Sequence, residues 1–126
     1  MKKALLALGL LPLLAACADT AQGKLRQTVF DTDSAYHVLA TPMPDVMAGK
    51  VPGVALTDTQ KAIVKRASQS VFNEIQSLET SIEAGSSITQ TAVSALQTDF
   101  ASFETCWAGL KTGTTPDACA AIGGSK

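Results

Sequence analysis

The sequence predicts an all-α protein: an antiparallel three-helix bundle, or a long helical hairpin, with a short disulfide-pinned C-terminal helical turn. Three observations carry this expectation. Apolar residues recur at steps of three and four in three separate stretches. Each stretch runs into proline or glycine, and the second and third open on capping residues. Cys106 and Cys119 stand close together near the end of the chain, one inside the last long stretch and one beyond it.

The first helix is expected from Leu25. Leu25, Val29, Thr32, Tyr36, Leu39 and Met43 alternate steps of four and three and share one helical face. Pro42 and Pro44 end it, because the residue before a proline avoids the α region. Residues 41–56 hold Pro42, Pro44, Gly49, Pro52 and Gly53 and read as a turn-rich connection. Val46, Met47, Val51, Val54 and Leu56 give that connection an apolar side to pack back on the bundle.

Thr57-Asp58-Thr59-Gln60 fits a capping box, in which the Thr57 hydroxyl accepts from the Gln60 amide and Gln60 reaches back. Behind it, Val64, Val71 and Leu78 form one seven-residue track, Ile75 and Ile82 form its neighbour, and Phe72 widens the stripe. Ala67 and Ser68 are small enough to admit a second helix closely. Gly85 is the expected stop. Ser87-Ile88-Thr89-Gln90 reads as a second capping box. The third helix alternates Val93, Phe100 and Trp107 with Leu96, Phe103 and Leu110, an a/d pattern that reads as core. Gly113 ends it, and Thr115-Pro116 opens a short helical turn with proline at its first position.

The N-terminus carries an address. Lys2 and Lys3 precede an apolar run over residues 4–16, the plan of a secretory signal and shorter than the ~20 residues a spanning helix needs. Leu14-Ala15-Ala16-Cys17 resembles the bacterial lipobox. The resemblance implies cleavage between Ala16 and Cys17 and a diacylglycerol thioether on Cys17, with residues 17–24 as a lipidated tether and 25–126 as the bundle domain. Two or three acyl chains, at ~0.8 kcal/mol per buried CH₂, anchor a protein without basic residues to help. Ala18, not aspartate, follows the cysteine, which leans towards the periplasmic face of the outer membrane rather than the inner membrane. With Cys17 lipidated, Cys106 and Cys119 are an even pair in an exported chain, the usual sign of a disulfide, and Trp107 would shield it.

The chemical inventory points away from an enzyme. The chain has 126 residues, one histidine, one tryptophan and one tyrosine. His37 has no nucleophile motif to serve, and no phosphate loop, dinucleotide fingerprint or metal-ligand spacing is present. Glu79 and Glu83 read as a solvated face of one helix rather than a carboxylate pair across a cleft. No cofactor is expected beyond the covalent lipid. Losing Lys2 and Lys3 with the signal takes ten basic side chains to eight against eleven acidic, a net charge near −3, which excludes a nucleic-acid binder held by a positive field.

Charge placement suggests where a partner would sit. Lys61, Lys65 and Arg66 fall in the first turns of the second helix, while Glu74, Glu79 and Glu83 fall towards its end, against the helix dipole. With the anchor at Cys17, that basic set lies at the membrane-distal end, as candidate contacts for an envelope protein or an anionic cell-wall polymer. The tail Gly123-Gly124-Ser125-Lys126 resembles the end of the major outer-membrane lipoprotein of enteric bacteria, whose terminal lysine is joined to peptidoglycan. That likeness would make Lys126 an attachment point. The expected function is a membrane-anchored, non-enzymatic interaction or structural module, with self-association open. The overall plan also resembles phage- or plasmid-encoded lipoproteins of superinfection or conjugative exclusion or host lysis. A third reading is a lipid or small-ligand carrier or inhibitor whose bundle opens to expose Phe100, Phe103 and Trp107.

Overall fold

The computed structural model describes residues 2–122, with side chains from residue 20 onward. Its elements are five helices: α1 (Lys2–Ala40), α2 (Met43–Met47), α3 (Asp58–Glu83), α4 (Gln90–Lys111) and α5 (Ala118–Ala121). No strand occurs among the described residues. α1, α3 and α4 pack against one another pairwise, and α5 lies against α4 and α3. Gln22 of α1 meets Ile88 just before α4, and Tyr36 of α1 meets Ser68 of α3. α1 and α4 therefore run one way and α3 the other.

The apolar faces read from the sequence form the core. Val29 and Tyr36 come from α1, Val64, Ala67, Val71 and Ile75 from α3, and Val93, Leu96, Phe103, Trp107 and Leu110 from α4. Ala67 has no exposed surface, so α1 and α4 approach α3 closely at that turn. Thr32 is the one buried polar residue on the α1 face, and its hydroxyl donates to the Thr28 carbonyl at 2.8 Å, which satisfies it locally. Tyr36 stacks in tilted fashion with Phe72 and Phe103 at centroid separations of 5.8 and 6.1 Å, while its hydroxyl lies 2.7 Å from Ser68 Oγ.

The helix ends follow side-chain chemistry. The Thr57 capping box is complete: its hydroxyl accepts from Gln60 N at 3.1 Å and its own amide donates to Gln60 Oε1 at 3.0 Å. α3 stops at Gly85, whose φ of +75° is open to glycine at little cost. Ser86 N–H then donates to Ser81 O at 2.9 Å and Gly85 N–H to Ile82 O at 3.0 Å, both bonds of a Schellman motif. α4 ends the same way at Gly113, with Thr114 N–H on Gly109 O and Gly113 N–H on Leu110 O.

Residues 18–24 are helical and continuous with the rest of α1, and Gln22 is tied to the bundle. Three other local expectations change. The second capping box does not form. Thr89, not Ser87, is the N-cap of α4, accepting from Ala92 N at 3.1 Å, and alanine at that position has no side chain to reach back. Ser87 is displaced because Ile88 is drawn into the core, where Val93 is also buried, the two positions of a hydrophobic staple. Pro116 does not stand at the first helical position, although its carbonyl accepts from Cys119 N at 3.1 Å. Asp117 is the N-cap of α5, since the Pro116 ring is seated against Gly109 of α4. The 41–56 connection contains the short helix α2, whose Met43 and Val46 are buried in the same core, with Val51, Val54 and Leu56 packed against it.

Candidate functional site

Three regions of the bundle hold the residues singled out from sequence: the end near Gln22, the opposite end, and the C-terminal segment. The backbones of Ala16 and Cys17 lie within α1, and their side chains fall outside the described residues. Five residues on, the Gln22 side-chain amide grips one peptide of the α3–α4 connection. Its Nε2 donates to Ile88 O at 2.8 Å and its Oε1 accepts from Ile88 N at 3.0 Å. Ile88 precedes the N-cap of α4, so neither of its backbone groups has a helical partner, and Gln22 supplies both. Gly85, Ser86 and Ser87, beside it in the connection, are exposed.

At the opposite end the three basic residues separate. Lys61 and Lys65 are one turn apart on α3. Lys65 lines a cleft of about 320 Å³ with Tyr36, Met43, Met47 and Ser68. Arg66 projects about 100° further round the helix, towards α5, where its Nη2 donates to Cys119 O at 3.1 Å and its Nη1 reaches Ile122 O at 3.5 Å. A guanidinium placed on the carbonyls that end a helix satisfies acceptors the helix cannot satisfy itself. Arg66 is thus engaged in holding the C-terminal segment, and Lys61 and Lys65 are the two cations of the set that remain on the α1–α2 side.

The C-terminal segment is a clamp. Cys106 and Cys119 form a disulfide with 4.8 Å between their Cα atoms, across a sequence separation of 13. Both sulfur residues are buried, and Ile122 has no exposed surface. A Cβ on Gly109 would collide with the Pro116 ring and lie 2.9 Å from Thr114 Oγ1. Only glycine admits this contact. Lys126, with residues 123–125, lies outside the described residues.

The aromatic stripe of α4 is core. Phe103 and Trp107 are 0% and 1% exposed, so both side chains are spent on the core. Phe100 is partly covered and lines a cleft of about 470 Å³ between α1 and α4, with Val38, Leu39, Glu104, Trp107 and Lys111. Lys111 Nζ stands 5.4 Å from the Trp107 ring centre and covers its outer edge.

One constellation escaped the sequence reading. Asp33 of α1 lies 3.2 Å from His37 Nε2, one turn on, and faces Glu79 of α3. Burial holds the Glu79 carboxyl above the usual range, and the neighbouring charges of Asp33 and Glu83, with a hydrogen bond to Asp33, push the same way. The Asp33–His37 spacing was visible in sequence; the Glu79 approach was not, because it depends on the register of α1 against α3. Glu79 and Glu83 share one helix face, one turn apart on α3. Among the described residues no group of three His, Cys, Asp or Glu side chains could hold a metal ion, and no helix is long and apolar enough to cross a membrane. No protein-family model, curated protein or solved structure matches this chain.

Proposed function

We propose that the chain is a lipid-anchored, non-enzymatic lipoprotein of the bacterial envelope, whose helical bundle serves as an interaction or structural module. The observation that carries this reading is Leu14-Ala15-Ala16-Cys17, set directly after a doubly basic start and an apolar run of signal length. The Cys106–Cys119 bridge supports it, since stable disulfides belong to oxidising compartments outside the cytosol. The residues available for contact with an envelope protein or an anionic polymer are Lys61 and Lys65.

The test is intact-mass analysis of the protein extracted from bacterial membranes. The expected species begins at Cys17 and carries diacylglycerol, with or without a third acyl chain on its amine. A Cys17→Ser variant should lose the adduct and leave the membrane fraction. A mature chain cut elsewhere and free of lipid overturns the reading. Amine crosslinking of the anchored protein, with the Cys17→Ser variant as the mislocalised control, then names what the bundle touches.

A further inference from the structure

The anchor and the bundle are joined without a flexible segment. α1 is helical through Cys17 and Gln22, so about 7.5 Å of helix rise separates the two residues. Gln22 is bound at both ends of its amide to Ile88, which fixes α1 to the α3–α4 connection at that level. We propose, resting on the lipoprotein reading, that residues 84–89 and the adjoining turn of α1 form a membrane-seating surface. On it the bundle stands upright with its other end held away from the bilayer.

The chemistry of that end suits phospholipid head groups. Gly85, Ser86 and Ser87 are exposed and uncharged, and they offer hydroxyl and peptide groups to water and phosphate. Few charges lie near in sequence: Asp19 and Lys24 on α1 and Glu83 at the end of α3. A zwitterionic interface meets no strong opposing field there. The heights follow from helix rise. Trp107 stands about 26 Å along α4 from Gln90, and Lys61 about 33 Å along α3 from Glu83. Lys61 and Lys65 are therefore presented well above the head groups, at the level of α2 and α5. A flexible tether would let the bundle lie on its side and bring Phe30 and Val38, the exposed large apolar side chains of α1 among the described residues, down to the lipid.

Energy transfer from tryptophan to a dansyl headgroup reports these heights. The lipidated full mature chain is placed in vesicles of zwitterionic and anionic phospholipid, and its intact mass is measured on the same sample. Trp107 is the only native tryptophan. Weak transfer is expected from it, and a Ser86→Trp variant, whose new donor sits on an exposed turn, should show transfer several-fold stronger. Inserting a ten-residue Gly-Ser segment between Asp19 and Thr20 should raise transfer from Trp107 by freeing the bundle to tilt. With the lipid mass present, equal transfer from the native and Ser86→Trp proteins, or no response to the insertion, overturns the upright seating alone. Absence of the lipid mass overturns the lipoprotein reading and the seating with it.

Discussion

Gln22 and Ile88 are 66 residues apart, and the side-chain amide of the first completes both backbone hydrogen bonds of the second. The pair joins the first long helix to the turn between the other two. The junction is partly buried, so water does not freely replace what Gln22 provides. Removing it by Gln22→Ala leaves a donor and an acceptor short of partners, at a cost of about 1–3 kcal/mol. Thermal unfolding should move down by about 4–8 °C for each kcal/mol lost. Hydrogen exchange at the Ile88 amide should accelerate well beyond that of the α4 interior. Unchanged exchange at Ile88 would show that the side chain does not hold this turn.

The C-terminal clamp gives a prediction that runs against helix propensity. Gly109 lies inside α4, where alanine is ordinarily favoured by about 0.8–1 kcal/mol. Here the added methyl meets the Pro116 ring and Thr114 Oγ1. Gly109→Ala should therefore destabilise by about 1–3 kcal/mol, as overpacking does, despite the gain in propensity. Pairing it with Pro116→Ala should recover part of the loss, so that the two changes are non-additive in denaturant melts. A stabilised single variant would mean that Pro116 does not sit on the helix.

The disulfide and Arg66 act on the same segment by different means. The bridge joins residues at a sequence separation of 13 and contributes ~3 kcal/mol in the chain-entropy model. Cys106→Ala with Cys119→Ala should lower the denaturation midpoint accordingly, yet leave α5 docked through Ile122 and Arg66. Adding Arg66→Ala should release it, which limited proteolysis after α4 detects as a cut absent from either parent. Cleavage already complete in the double-cysteine variant would assign the docking to the bridge alone.

These relationships mark the boundary of what the sequence makes legible. The three long helices were readable because each repeats its apolar residues over several turns, and Thr57, Gly85 and Gly113 mark ends by chemistry that acts within a few residues. The cap of α4 was misplaced by two residues because Ser87 and Thr89 are equally good caps locally, and burial of Ile88 chooses between them. The grip of Gln22 on Ile88 across the bundle was not legible either, since it pairs residues 66 positions apart. Likewise Arg66 reads as one of a basic set in sequence. Its separation from Lys65 is settled by a four-residue helix, α5, that lies more than fifty positions away. Long-range pairings of single polar side chains leave no periodic trace.

The Asp33–Glu79 approach yields a pH-dependent prediction of definite sign. Glu79 holds its proton more tightly in the folded chain than an ordinary glutamate, through burial first and the charges of Asp33 and Glu83 after it. A raised folded-state pKa means stability that is present below the ordinary glutamate value, about 4.3, and is lost as pH rises through the folded value. Glu79→Gln should therefore stabilise the protein at neutral pH. The i,i+4 repulsion with Glu83 that it removes is worth about 0.2–0.5 kcal/mol, and relief from Asp33 adds to this. The two proteins should converge as pH falls well below the ordinary glutamate value and diverge above it, with the variant higher at neutral pH by one to a few degrees (about 4–8 °C per kcal/mol). The His37 charge works against this shift, so His37→Ala should widen the gap between the two proteins. A variant that melts lower at neutral pH would show that Glu79 is held by a favourable contact rather than strained by its neighbours.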